Sequence, residues 1–184
     1  MDPKLKVGTI LLAEPFMLDK NFKRAAVLLV DHGEDGSVGF VLNRKTDITI
    51  SELVDDFPEF DAPVYYGGPV GTDTVHYLHR KGDLLEKSDE VAGGVYWGGD
   101  YAQLKFLIGA GMIDRQDIRF YVGYSGWSEE QLAEELRHGS WVTADLDANY
   151  VFNSRSETLW SKVMKHKGNH FAVIGDLEDG PNYN

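Results

Sequence analysis

Ala25-Ala26-Val27-Leu28-Leu29-Val30 is a continuous apolar run that stops at Asp31-His32-Gly33-Glu34-Asp35-Gly36 and resumes as Val38-Gly39-Phe40-Val41-Leu42. Two short apolar runs around a segment of glycine and acidic residues read as a β-hairpin of buried strands. The intervening segment reads as longer than a two-residue turn. Upstream, Val7 to Ala13 is another buried strand, which Glu14-Pro15 ends because proline disfavours continuation. Downstream, Thr49-x-x-Glu52 matches a capping box, and the spacing predicts a helix from Ile50 to about Asp56 that Pro58 stops.

Further along, Val64-Tyr65-Tyr66 reads as a strand entering Gly67-Gly68-Pro69-Val70-Gly71, and Thr74 to His79 as a second one. Ser88 to Gly99 reads as glycine-rich and irregular. Tyr101 to Ile108 fits a helix ended by Gly109 or Gly111, and Ile118 to Tyr124 alternates as a strand. Ser128-x-x-Gln131 opens a second helix that Gly139 ends, Trp141 to Thr143 follows as a strand, and Ser154-x-x-Glu157 caps a last helix through Met164. Phe171 to Ile174 reads as a final strand, and residues 176–184 as a mobile acidic end. Interspersed strands and helices, without repeat or linker, predict one mixed α/β domain over residues 1–184. The helices are too few for a full doubly wound sheet.

Composition narrows the chemistry. The 184 residues are 42% hydrophobic and 12% aromatic, enough for a core without metals or disulfides. The absence of cysteine removes disulfides, thiolate nucleophiles and thiolate metal sites, and agrees with a reducing compartment. Ile10-Leu11-Leu12-Ala13 is shorter than the about 7 to 15 apolar residues of a secretory signal. No apolar run approaches the about 20 residues of a membrane span. Cytoplasm is the expected compartment.

Charge is unevenly distributed. The net charge is −12, yet residues 1–50 carry seven cationic and seven anionic side chains, against eleven and twenty-three in residues 51–184. A field of that sign repels nucleic acid unless one face is locally basic. Three small groups could build such a face: Lys20, Lys23 and Arg24; Arg44 and Lys45; and Lys162, Lys165 and Lys167. The third also has a local explanation, since cations in a helix's last turn complement its dipole.

Several constellations invite a site. Asn43-Arg44 ends an apolar strand, where an amide and a guanidinium could be aimed at a carboxylate or phosphate. Alternatively, Asn43 bonds to turn backbone and Arg44 is solvated or ion-paired. The Gly67-Gly68-Pro69-Val70 bend lets a strand change direction and can leave N–H groups for an anion, although no P-loop pattern is present. Gly123-Tyr124-Ser125-Gly126-Trp127 lies where a nucleophile elbow would be, but Trp127 occupies the position that needs a second small residue. His76 and His79, three apart on a strand, face opposite sides and suit no shared metal ion. His32 among Asp31, Glu34 and Asp35 reads as a solvated turn, and Trp127 and Trp141 as core anchors. Asp55-Asp56 and Asp145-x-Asp147 supply paired acids with no sign of a shared cleft. Neither a metal site nor a cofactor is expected.

Taken in order, these segments resemble the AlgH/YqgE family of small bacterial proteins, whose members are often named as transcriptional regulators. The resemblance rests on Gly8-Thr9-Ile10-Leu11-Leu12-Ala13-x-Pro15-x-Met17-x-Asp19-x-x-Phe22 and on His32-x-x-x-Gly36-x-x-Gly39-Phe40-Val41-Leu42-Asn43-Arg44. It continues through Tyr66-Gly67-Gly68-Pro69-Val70 and Gly126-Trp127-x-x-x-Gln131-Leu132-x-x-Glu135-Leu136. It implies a branched mixed sheet that includes a small barrel, surrounded by helices, and it lends no activity. Glu129-Glu130 stands where the family usually has Pro-Gly, Lys45 where proline is common, and Val30 where relatives often carry cysteine.

The expected function is a ligand- or protein-binding regulatory module without catalysis, its surface formed by Asn43, Arg44, Gly67, Gly68, Pro69 and Val70. The alternatives are a DNA-associated regulator, which the net charge opposes, and a hydrolase built on Asn43, Arg44 and Ser125. A small molecule or a protein is the expected partner, with no membrane involved.

Overall fold

The computed structural model describes residues 4–177, which form one ten-stranded sheet and six helices. Along the sheet lie β10 (Trp141–Asp145), β1 (Thr9–Ala13), β2 (Ala26–Gly33), β3 (Gly36–Val41), β9 (Ile118–Trp127), β6 (Val70–His79), β8 (Val95–Trp97) and β7 (Asp89–Ala92). A side branch adds β5 (Pro63–Tyr66) to β9, and β4 (Lys45–Thr49) to β5. The fork is β9 itself. Over Phe120 to Val122 it pairs in parallel with β5 and antiparallel with β6, and over Ser125 to Trp127 antiparallel with β3. Strand twist accumulated along this ten-residue strand curls the sheet into a half-barrel that stays open, with β10 and β7 at its ends.

The opening hairpin is in register from Val27 opposite Val41 to Gly33 opposite Gly36, with a bulge between Leu29 and Asp31. Its loop is therefore only Glu34-Asp35, shorter than the sequence suggests. Polar His32 and Ser37 pair within the ladder, their side chains joined by a 2.8 Å Nδ1–Oγ hydrogen bond.

Both faces of this hairpin are covered, which is why its strands carry no polar alternation. Ala26, Leu28 and Val30 pack with Phe40 under α4 (Ala148–Phe152) and α5 (Leu159–His166). Val27 and Leu29 face the other way, toward Trp127, Trp141 and Leu132 of α3 (Glu129–Arg137). Burying each such aliphatic side chain contributes about 1.5–3 kcal/mol. The two indoles also share one acceptor, the Glu135 carboxylate, at 3.0 and 2.8 Å. A third cluster joins β5, β6 and β9 to α1 (Ile50–Leu53) and α2 (Tyr101–Gly109).

Several local expectations need correction. The 88–99 segment contains a hairpin, β7–β8, with a register shift between Glu90 and Ala92, whose turn uses Gly93 (φ 55°) and Gly94 (φ 83°) in the left-handed region that two-residue turns require. The Thr49–Glu52 capping box forms in both directions, but α1 ends at Leu53. Ser128 caps α3 through Gln131 N, while the Gln131 side chain reaches Glu135 instead of turning back. Ser154 caps no helix. Its hydroxyl donates to Asn149 O in the unforeseen helix α4, and α5 starts later, after Thr158. Phe171 to Ile174 belongs to α6 (Asn169–Gly175), because four apolar residues are too few for periodicity to separate strand from helix. Of the acidic end expected to be mobile, residues 178–184 lie outside the described residues.

Candidate functional site

Asn43 follows the end of β3 and is 7% exposed. Its Oδ1 accepts from Ala26 N at 3.0 Å, and its Nδ2 donates to Arg24 O at 2.8 Å. The amide thus clamps the chain on both sides of Ala25, just before β2 starts. Arg24 has φ 53°, a left-handed conformation that crowds the Cβ of a bulky residue. The Asn43 bond to its carbonyl helps to hold it there. Arg24 directs its guanidinium 4.5 Å over the Trp160 ring, and Trp160 is anchored by its Nε1 donating to Ala13 O at 2.9 Å. The Arg44 guanidinium donates to Lys23 O, and to Asn43 O at 3.4 Å.

These residues form one wall of a cleft of about 980 Å³ whose other wall is α5 and the segment leading into it. Lys23 and Arg24, Arg44 and Lys45, and Lys162 and Lys165 all line it, so three basic groups far apart in sequence meet in one place. Among the described residues, Glu157 and Asp176 also line it, and Asp176 lies 2.5 Å from Lys165 Nζ. Ser156, Thr158 and Ser161 add hydroxyls. Thr158 makes no side-chain cap, so among the described residues the positive end of the α5 dipole, whose first turn lines this cleft, has no capping side chain. The helix-end explanation covers Lys165, in the last turn of α5, but not Lys162, one turn earlier.

The Gly67–Val70 bend does not line this cleft. Gly67 O accepts from Val41 N at 2.9 Å and from the Ser125 hydroxyl at 3.1 Å, and Gly67 N donates to Val122 O at 2.8 Å. Gly68 has φ 153°, and a Cβ there would lie 2.2 Å from the Tyr124 carbonyl carbon. The bend brings three strands backbone to backbone, while Pro69 and Val70 are exposed. Just before the bend, Tyr66 N donates to Arg44 O at 2.8 Å, which places the two candidate stretches side by side.

The remaining candidates disperse. Gly123 to Trp127 is continuous strand in β9 and not an elbow, and Ser125 is fully buried away from the cleft. His79 is also fully buried, its Nε2 2.8 Å from Gly98 O and its Nδ1 accepting from Lys81 N at 3.1 Å. Burial lowers its pKa, so it stays neutral, and burial lowers that of His76 as well. His76 packs among Phe40, Trp97 and Tyr124. Asp56 pairs with Lys105 at 2.9 Å, and Asp147 caps α4 by accepting from Asn149 N. Among the described residues, no three His, Asp or Glu side chains gather as metal ligands would.

Sequence reasoning singles out Asn43-Arg44 but not the α5 wall opposite. The available signal was the triple set of basic groups, although nothing local says that residues 24 and 160 touch.

Fold and site together define a small mixed α/β protein with a forked, half-barrel sheet and a basic cleft at the edge of its front hairpin. The chain belongs to the AlgH-like family, whose model matches residues 10–172. It is 41% identical over 180 residues to a UPF0301 protein of Chlorobaculum parvum, covering 98% of this chain and 96% of the relative. A UPF0301 protein of Chlorobaculum tepidum is 42% identical with the same coverage. Among solved structures, the AlgH protein of Pseudomonas aeruginosa is 28% identical with a TM-score of 0.74, covering 98% of this chain and all of the other. A Corynebacterium diphtheriae protein of 21% identity shares the fold at a TM-score of 0.78, over 96% and 95% of the two chains.

Proposed function

We propose that this protein is a cytoplasmic regulatory module that binds an anionic ligand in the cleft between Arg24, Arg44 and α5. The observation that supports this reading is the meeting of six cations from three separate segments in a chain of net charge −12. A protein with that overall charge gains no solubility from concentrating its cations, whereas an anion gains charge-assisted hydrogen bonds from the arginine forks and the serine and threonine hydroxyls. Asn43 acts as a positioning residue, because its amide fixes the backbone of Arg24. No nucleophile and base meet in the cleft among the described residues, so binding is the role the geometry favours. The missing cysteines agree with a reducing compartment.

A thermal-shift titration with pyrophosphate, sulfate and citrate, against chloride at matched ionic strength, tests this reading. A dose-dependent rise in Tm is expected, since a ligand that binds only the folded state stabilises it. The rise should disappear in Lys162→Glu. No rise beyond the chloride control with any of the three anions would end this reading.

A further inference from the structure

The two ends of the sheet are finished differently. At one end, β7 carries exposed Asp89 and Glu90, and its last residue abuts the chain entering β1: a Cβ on Gly8 would lie 2.8 Å from Ala92 Cβ. At the other end, β10 pairs with β1 alone. Alternate residues of an antiparallel pair exchange hydrogen bonds. Glu14 N donates to Ser140 O at 2.9 Å, so in the continuous register Leu12 with Val142 and Ile10 with Ala144 are the bonded pairs. The N–H and C=O groups of Thr143 and Asp145 therefore point away from β1. Lys167 Nζ meets Thr143 O on that outer side. Among the described residues, nothing accepts from Thr143 N or Asp145 N.

A cleft of about 830 Å³ runs along this edge. Thr143, Ala144 and Asp145 all line it. Successive side chains of a strand point to opposite faces, so a cleft that meets all three passes the edge and does not lie over one face. Its far wall is α5, through Val163 and His166, with His166 Nδ1 2.7 Å from the Tyr150 hydroxyl. Lys4, Lys6 and Lys167 supply its charge, and Asp145 is the one carboxylate among the described residues that line it. A turn holds Lys6 at the start of β1, with Thr9 N donating to Lys6 O at 3.0 Å and Lys6 N to Thr9 Oγ1 at 3.2 Å.

We propose that the outer edge of β10 binds an extended acidic segment of a partner protein, which adds to the sheet as a further strand. Main-chain bonds to Thr143 and Asp145 give the pairing, and acidic side chains along the segment meet Lys4, Lys6 and Lys167. Lysine beside an edge strand also guards against indiscriminate pairing. Here Lys167 engages one carbonyl, which can accept a second bond, and leaves the N–H groups open. Charge also selects the end of the sheet, because Asp89 and Glu90 of β7 repel the same segment. This edge is separate from the cleft between Arg24, Arg44 and α5, and its occupant is a polypeptide, not a small anion.

The test is calorimetric titration of the full chain with a peptide of about six residues, alternating glutamate and valine and blocked at both ends. A glutamine–valine peptide of the same length should bind about tenfold more weakly or worse. Two further peptides carry methyl groups on the backbone nitrogens of the glutamates or of the valines, which keeps the charge. One of the two should lose about tenfold, because only alternate N–H groups face β10. At saturation, hydrogen exchange of Thr143 N–H should slow about tenfold or more. The double variant Lys4→Glu, Lys6→Glu changes two exposed side chains and should weaken the peptide about tenfold. Thr143→Pro removes an N–H that makes no bond to β1 and should weaken it about as much. If that variant does not fold, the methylated pair on the unaltered chain still decides. No binding of the glutamate–valine peptide, or equal binding of both methylated peptides, would overturn the proposal. So would protection of Thr143 N–H without peptide, since a second copy or another part of the chain would then already occupy the edge.

Discussion

Asn43-Arg44 and Gly67–Val70 are neighbouring stretches, joined by the bond from Tyr66 N to Arg44 O, and they do different work. At the bend, atoms of the main chain carry the contacts: Gly67 uses both its N–H and its carbonyl within the sheet, and Gly68 lies against the Tyr124 backbone. At the cleft, backbone groups are held by one buried amide so that charged side chains can face outward. Glycines near a turn signal close approach, whereas a strand-end amide followed by arginine signals a side-chain surface. Changes at the bend should therefore cost stability, and changes in the cleft should cost binding.

The largest effect is expected from Gly68→Ala. Its Cβ cannot fit against Tyr124, and its φ disfavours any side chain, so a loss of about 4 kcal/mol or collapse of the fold is expected in chemical denaturation. A variant of near wild-type stability would break the distinction. Asn43→Ala falls between the two regions, because it leaves Ala26 N and Arg24 O without the side-chain partner. It should cost about 2 kcal/mol by denaturant midpoint and also weaken anion binding. Retained pyrophosphate affinity would separate the clamp from the site.

Lys162→Glu should reverse that pattern: stability within about 0.5 kcal/mol of the parent, with pyrophosphate affinity down about tenfold by calorimetry. On β6, beyond the bend, the buried His79 links stability to pH. Its folded pKa lies below the ordinary 6.5, so the unfolded chain binds the proton more readily. Its contribution is intact above about pH 6.5 and is lost as pH falls toward the depressed value. Denaturant midpoints measured across this range should fall on the acid side, and fall less in His79→Gln. The smallest change is Asp176→Asn, which removes a carboxylate beside Lys165 and should tighten pyrophosphate binding about twofold.

Much of the fold was legible. Uninterrupted apolar residues marked β1, β2 and β3 because both of their faces are covered, and the Thr49–Glu52 pair marked the start of α1. The β7–β8 hairpin was missed although Gly93-Gly94 between Ala92 and Val95 is a strong turn signal, because the surrounding glycines hid two short strands. At the end of the chain, α6 was misread because a four-residue apolar run has no period to measure. The cleft was half legible: Asn43 and Arg44 stood out at a strand end and lie on one of its walls, while Lys162 and Lys165 looked like ordinary helix cations.

The sequence by itself determined the mixed α/β class, the family resemblance, the unequal charge of the two parts of the chain, and the exclusion of thiol chemistry. Each follows from composition or from spacing within a few residues, which is the range over which backbone geometry and periodicity act. Only the tertiary structure decided that Asn43 is a clamp, that Ser125 is sealed in the core, and that residues 23–24, 44–45 and 162–165 share a cleft. Those outcomes depend on how β9 forks the sheet and where α5 packs across the hairpin, and they couple residues more than a hundred positions apart through side-chain packing that leaves no local periodic trace.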